Sequence, residues 1–362
     1  MLTINKAAME LKTQTPTYQN VHNKFKLSGV HLNREDLCRV AYSFIKEGED
    51  FEKPVGMFLL DWFDDKPYIE MFTSGTTGEP KTIRVEKQAM VNSALATGDF
   101  FDLNPGDKVL HCLPVKFVAG KMMFVRGFIL GLEIDFVAPS SNPLERIEDT
   151  YDFAALVPLQ AQYSFNHLNK VKKIIIGGSK ITKPLEEKLL TLPLEIYETY
   201  GMTETITHIA AKRIGEESFT VFPNVMLSQD ENNCLLIKAP SISPDIIETN
   251  DIVTMVSENQ FIWLGRFDNV VNSGGIKLIP EQIEEKLSTR LPSRYFVIGQ
   301  PDPILGEKLV LVVEGTPYTI EDSVFDVLDK YEKPKEIHFA KHFEETTTGK
   351  IIRKATMDKF LF

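Results

Sequence analysis

Lys172-Lys173-Ile174-Ile175-Ile176-Gly177-Gly178-Ser179-Lys180-Ile181, followed by Pro184-Leu185-Glu186-Glu187-Lys188-Leu189-Leu190-Thr191-Leu192, is the stretch that decides the fold class. The first run is a short, continuous apolar segment that stops at a Gly-Gly pair, the pattern of a buried strand. The second reads as a helix, with Pro184 suited to its first turn. A strand, a tight turn and a helix in that order present ligands at strand ends. Working outward, residues 109–115 read as another short buried strand, 119–132 as an apolar helix and 133–138 as the next strand. Residues 193–200 (PLEIYETY) are again strand-like. Helical and strand patterns alternate without an internal repeat, so the expected fold is α/β.

The segment Leu264–Asp268 reads as a boundary. After it come a glycine loop, a charged helix with Pro280 near its start, the runs FVIGQPD (296–302) and KLVLVVEG (308–315), and a helical pattern over 319–331. That is a small α+β unit. The expected division is a large N-terminal α/β domain, residues 1–267, and a small mobile α+β C-terminal domain, residues 268–362, in line with a chain of 362 residues.

Composition narrows the function classes. Hydrophobic residues make up 43% and charged residues 25%, which argues against global disorder and against a coiled coil. The net charge of −11 lacks the electrostatic footprint of a nucleic-acid binder. The most apolar stretch, 121–138, is interrupted by Arg126, Glu133 and Asp135, so no membrane insertion is expected. Cys38, Cys112 and Cys234 have no CxxC spacing, and the opening residues carry no signal-like apolar run; a reducing, cytoplasmic location is expected.

Four segments carry chemistry. Thr73-Ser74-Gly75-Thr76-Thr77-Gly78-Glu79-Pro80-Lys81 puts two glycines, four hydroxyls and a lysine on one short loop. Backbone N–H groups in such a loop cradle anions and the lysine adds a point charge, which is phosphate chemistry. It is not a Walker A loop, because Pro80 stands where the second glycine belongs. Tyr197-Glu198-Thr199-Tyr200-Gly201-Met202-Thr203-Glu204-Thr205 runs from a strand into a glycine turn. Glu204 there could hold a hard cation against phosphate oxygens, and Tyr200 could stack on a base. The third segment is Asp251, then Gly265-Arg266-Phe267-Asp268, then Ser273-Gly274-Gly275-Ile276-Lys277; the fourth is Thr346–Arg353 with Lys350. Alone, each of the last three reads as ordinary surface or core: a buried tyrosine with a solvated glutamate, a salt bridge, a basic tail.

In this order the four resemble the adenylate-forming superfamily, which comprises acyl- and aryl-CoA synthetases, luciferases and adenylation domains. The likeness runs from about residue 70 to the C-terminus. It implies a first step in which a carboxylate attacks the α-phosphate of ATP, and a second in which the thiol of coenzyme A takes the acyl group. By the same resemblance residues 73–81, with Thr73, Ser74, Gly75, Thr76, Thr77, Gly78 and Lys81, hold the phosphates. Thr203 touches the α-phosphate, and Glu204 binds Mg2+. Gly178, Ser179, Glu198, Thr199, Tyr200 and Gly201 line the nucleotide site, Asp251 accepts from the ribose with Arg266 beside it, and Lys350 is the catalytic lysine. Asp268 is the implied hinge of the C-terminal domain, and Gly274 and Gly275 are implied to approach coenzyme A. The chain departs from the superfamily pattern in three places. Only 72 residues precede the phosphate loop, so an abbreviated N-terminal subdomain is expected; Phe117 stands where a histidine is usual; and Thr249-Asn250-Asp251 replaces the usual TGD.

The small size, Val157–Gln160 and Gly120–Gly127 resemble the short bacterial o-succinylbenzoate–CoA ligases of menaquinone synthesis. Such an acid carries a second carboxylate that is not activated and needs a cation if buried. Lys121 and Arg126 are the candidates. They lie five apart, so they need not share a helix face. Phe117, Gln160 and Tyr163 are candidate aryl contacts, with a core role equally open for Phe117, and His208 is a candidate pocket residue or a satisfied core histidine. The expected partners are an aryl carboxylic acid, ATP and coenzyme A; a homodimer is the assembly entertained. Three alternatives stay open: a ligase for a different acid, an enzyme that loads a carrier protein, and a nucleotide-binding regulator without ligation. Against the last stand Lys350 and Glu204, both intact.

Overall fold

The isoleucine run forms the strand Val171–Ile176, and the proline-led run forms the helix Lys183–Leu189. In the computed structural model, which describes residues 15–72, 82–346 and 350–359, this strand lies inside a sheet of thirteen strands among the described residues. The parallel middle of the sheet runs, in spatial order, Glu195–Gly201, Val171–Ile176, Tyr151–Leu156, Lys108–His111 and Glu133–Phe136. Beyond Glu195–Gly201 the sheet turns antiparallel, starting with His208–Arg213.

Strand alternation sorts the side chains onto two layers. Val109, Phe153 and Ile175 face the helices Lys87–Phe101 and Val118–Leu130, sharing a core with Met90, Phe101, Phe124 and Phe128. Leu110, Ala154, Ile174 and Ile176 face the other way, against Leu185 and Leu189. Because both faces are covered, these strands read as continuous apolar runs. Each fully buried Leu, Ile or Phe contributes roughly 1.5–3 kcal/mol. The helix Val118–Leu130 is apolar nearly all round because it is enclosed on all sides, and it carries the buried Arg126.

From Val271 onward the chain builds a second sheet from Val271–Ser273, Ile276–Leu278, Tyr295–Asp302, Gly306–Glu314 and Glu336–Ala340. The helix Pro280–Leu287 packs Ile283 and Leu287 onto it. One sequence expectation is corrected here. Residues 319–331 do not form an α-helix; the regular part is a single 3₁₀ segment, Asp322–Val327. Val324, Val327 and the aspartates are poor helix formers. Phe325 and Leu328, three residues apart, both reach the core, the spacing a 3₁₀ turn aligns. Among the described residues no helix is long and apolar enough to cross a membrane.

Candidate active site

The carboxyl ends of Val171–Ile176 and Glu195–Gly201 open into a cleft of about 1010 Å3. Its walls come from three stretches far apart in sequence: Gly178–Ile181, Glu198–Glu204 and Glu248–Asp251 with Trp263 and Arg266. The helix Pro280–Leu287 and Lys350 close it from the C-terminal side. The strand Val171–Ile176 can turn sharply into this cleft because Gly178 sits at φ +90°, a conformation that L side chains rarely adopt. Glu198 stays buried behind the turn, accepting from the Ile181 amide at 3.2 Å and pairing with Lys212 at 3.2 Å.

Asp251 is the best-connected carboxylate of the cleft. It is buried, and its Oδ2 accepts from the Tyr200 hydroxyl at 2.6 Å while Oδ1 accepts from Trp263 Nε1 at 3.0 Å. Arg266 Nη1 stands 3.7 Å from the same Oδ1, and Arg266 Nη2 donates to Asp268 at 2.9 Å. Burial, then the charge of Asp251, pushes the Tyr200 phenol far above its ordinary range. Tyr200→Phe should therefore lower stability by about 1.5–3 kcal/mol, the value of a hydrogen bond to a charged group. A thermal melt checks it.

Lys350 reaches the cleft from a bridge between Glu345 and Ile351, with its backbone amide donating to Thr346 Oγ1 at 3.1 Å. Partial withdrawal from water, and then the nearby Arg266 charge, lower the ammonium's pKa; Asp251 opposes them. Gly274 and Gly275 do not line the cleft; they turn the hairpin between Val271–Ser273 and Ile276–Leu278. The structure brings Lys350 to the walls of the cleft and leaves the glycine pair outside. Asp268 accepts from Asn250 Nδ2 through both oxygens at 3.1 Å.

The segment 201–208 joins the cleft to a second polar feature. Thr203 and Glu204 face the cleft. Ile206 then adopts φ +68°, strained for a β-branched residue, at a cost of about 1–3 kcal/mol. The Thr205 hydroxyl bridges the Met202 amide at 2.9 Å and the Thr207 carbonyl at 2.6 Å, holding the turn. On its far side Thr207 and His208 meet Arg126, whose Nη2 is 3.4 Å from each of Thr207 Oγ1 and His208 Nε2. Arg126 is 1% exposed, its Nε has no partner, its Nη1 donates to Met123 Sδ at 3.3 Å, and no carboxylate pairs with it among the described residues. Burial alone drives its pKa down to about 9. Burial, then Arg126, holds His208 well below its ordinary value, so the ring is neutral. Arginine only donates, so the bare Nε2 faces it, with the Thr97 hydroxyl 3.0 Å away.

The remaining substrate candidates separate. Lys121 donates to the Val115 carbonyl at 3.0 Å and lies over the Phe58 ring, away from the Arg126 guanidinium. Gln160 has its amide engaged by main chain, donating to the Cys112 and Ser140 carbonyls at 3.1 and 3.0 Å and accepting from the Val157 amide. Phe117 caps the helix Val118–Leu130 with Lys116 over its ring, and Tyr163 is 60% exposed. Thr73, Ser74, Gly75, Thr76, Thr77, Gly78 and Lys81 lie outside the described residues; the flanking strands Tyr68–Phe72 and Thr82–Glu86 pair so that Phe72 stands opposite Thr82. Sequence reasoning missed Trp263, Thr97 and Glu281. Trp263 sits in an ordinary strand pattern, Thr97 on a buried helix face, and Glu281 reads as a routine acid in a helix first turn.

A family model described as AMP-binding enzyme matches residues 45–230. The 2-succinylbenzoate–CoA ligase of Lactococcus lactis is 26% identical over 81% of this chain and 71% of its own length. That of Oceanobacillus iheyensis is 24% identical over 97% and 81%. A solved acyl-CoA synthetase (AMP-forming)/AMP-acid ligase II-like protein of Dyadobacter fermentans is 32% identical, covering 89% of this chain and 97% of its own, with TM-score 0.60. The o-succinylbenzoate coenzyme A synthetase of Bacillus subtilis, solved with ATP and magnesium, shares the fold at 19% identity, covering 80% of this chain and 69% of its own with TM-score 0.71.

Proposed function

The chain belongs to the AMP-binding enzyme family and is an AMP-forming acid–thiol ligase; from that premise we propose that its acid is o-succinylbenzoate, joined to coenzyme A in menaquinone synthesis. One observation carries the choice of acid. A guanidinium 1% exposed, without a carboxylate partner among the described residues, lies behind the turn that presents Thr203 and Glu204 to the cleft. A buried lone charge is costly. A substrate with two carboxylates resolves it: one end is activated in the cleft while the other pairs with Arg126. The names of the curated relatives support the same acid.

In the proposed first half-reaction, the succinyl carboxylate oxygen attacks the α-phosphorus of ATP. The bond to the bridging oxygen breaks, giving acyl-AMP and pyrophosphate. Asp251 holds the ribose hydroxyls and Tyr200 packs against the base. The Lys350 ammonium bridges the carboxylate and the α-phosphate, neutralising charge as it builds. Thr203 donates to the same phosphate. Among the described residues no three acidic, histidine or cysteine side chains form a metal cluster, and Glu204 lines the cleft outside any such group. That donor set suits Mg2+ arriving with the nucleotide, which needs only one or two carboxylates beside phosphate oxygens. Bound there, Mg2+ would neutralise phosphate charge. In the second half-reaction the coenzyme A thiol, losing its proton, attacks the acyl carbonyl and AMP leaves. Residues 268–362 are the proposed lid, turning at Asp268 to withdraw Lys350 and bring Gly274 and Gly275 to the thiol.

The test is pyrophosphate release with ATP and Mg2+ over o-succinylbenzoate, benzoate, a cinnamate and a medium-chain fatty acid, each with and without coenzyme A. Selective turnover of o-succinylbenzoate to a thioester is expected. Preference for one of the monocarboxylates would refute the acid while keeping the ligase chemistry.

A further inference from the structure

Arg353 stands three residues after Lys350, and its guanidinium returns to the helix Pro280–Leu287. Its Nη2 lies 3.3 Å from Glu281 Oε1 and 3.0 Å from Glu284 Oε2, and its Nη1 donates to the Val297 carbonyl at 3.0 Å. Glu281 is only 7% exposed. Its remaining contacts lie elsewhere: Oε2 accepts from the Arg266 amide at 3.4 Å, and Oε1 accepts from Asn269 Nδ2 at 2.5 Å. Residues 266 and 269 flank Asp268. One carboxylate therefore touches the chain before the proposed pivot, the chain after it, and the arginine three residues beyond Lys350.

The packing leaves no slack around this carboxylate. A Cβ on Gly265 would stand 2.5 Å from Glu281 Oε2 and 2.5 Å from Ile279 Cγ2. Only glycine lets the helix approach the strand closely enough for Glu281 to meet the Arg266 amide. We propose that Glu281 is a positioning residue for the adenylation step, keying the lid into the arrangement that holds Lys350 in the cleft. The inference rests on the reading of Lys350 as the adenylating lysine and Asp268 as the pivot.

The physics favours a switch rather than a static brace. Turning about Asp268 pulls the Arg266 amide off Glu281, so that contact exists in only one arrangement. A contact made in one state shifts the equilibrium toward it. A buried carboxylate loses most when its donor set is incomplete. The ion pair between Lys180 and Glu285, on the same helix, also spans the cleft mouth, but both partners are over 40% exposed. Solvent screens such a pair, and it contributes little.

The experiment compares Glu281→Ala, Glu281→Gln, Gly265→Ala and Lys350→Ala in two assays: ATP–pyrophosphate exchange with o-succinylbenzoate, and thioester formation from preformed acyl-adenylate and coenzyme A. Glu281→Ala and Gly265→Ala should slow exchange on the order of 100-fold, mainly in kcat, as expected of a displaced catalytic group. Thioester formation should be unchanged in both. Glu281→Gln should recover part of the loss, since its amide oxygen still accepts from the Arg266 amide. Equal slowing of both half-reactions with a lowered thermal midpoint would reduce Glu281 to a structural role. So would unchanged exchange in Glu281→Ala while Lys350→Ala behaves as described. If Lys350→Ala itself fails to discriminate between the assays, the fault lies with the underlying reading of the lysine.

Discussion

Lys350→Ala is expected to reduce adenylate formation by about 100- to 1,000-fold, the scale of removing one preorganised donor from a transition state. Thioester formation from preformed acyl-adenylate is expected to survive. The asymmetry follows from placement. Lys350 lines the cleft together with Gly178, Tyr200, Thr203 and Asp251, while Gly274 and Gly275 lie on a hairpin outside it. A group in the position proposed for it, against the α-phosphate, matters when charge develops there. It has no partner in the second step, when the thiol attacks the carbonyl. Partial dehydration and the Arg266 charge lower the lysine's pKa, with Asp251 opposing them. Rapid-quench measurement of each half-reaction separates the outcomes. Equal loss in both would dismiss the two-arrangement lid.

Arg126→Met should lower kcat/KM for o-succinylbenzoate by roughly a hundredfold, equivalent to ~3 kcal/mol for losing one partner of a buried charge pair. The same substitution should stabilise the free protein by about 1–4 kcal/mol, since an apolar side chain of similar length replaces an uncompensated buried charge. The opposite signs make the prediction sharp. A core residue would lose stability on substitution and leave substrate choice alone. The linkage has a definite direction. Burial pulls the folded-state pKa of Arg126 down to about 9, well below its ordinary value. The unfolded chain therefore binds the extra proton between those values, and stability rises with pH across that window. Below about pH 9 the full destabilisation is present, so at neutral pH the gain from Arg126→Met is undiminished. A calorimetric melt of free and o-succinylbenzoate-bound forms reads both effects. A drop in stability with unchanged kcat/KM would remove Arg126 from the acid site.

Much of the fold was legible because its signals are local. The isoleucine run and Gly-Gly stop, the proline-led helices and the strand Glu195–Gly201 each depend on neighbours within a few residues. The 319–331 pattern misled because apolar residues three apart serve a 3₁₀ turn as well as a helix, and only the lid core chose between them. The candidate site was legible in part. Glycine turns and the residues beside them carried the nucleotide wall. Lys121 and Arg126 could not be told apart, because whether a helix face meets solvent, carbonyl or histidine depends on what packs against it.

The amino-acid sequence by itself determined the reaction class: the order of the phosphate loop, the Tyr200–Glu204 turn, Asp251 and Lys350 is a one-dimensional property. The tertiary structure alone decided which groups cooperate. It brought Trp263 to Asp251, His208 to Arg126 across 82 residues, and Arg353 to Glu281 beside the proposed pivot. The physical reason is that the worth of a charge or hydrogen bond depends on burial and on the donor or acceptor opposite, and the folded chain sets both.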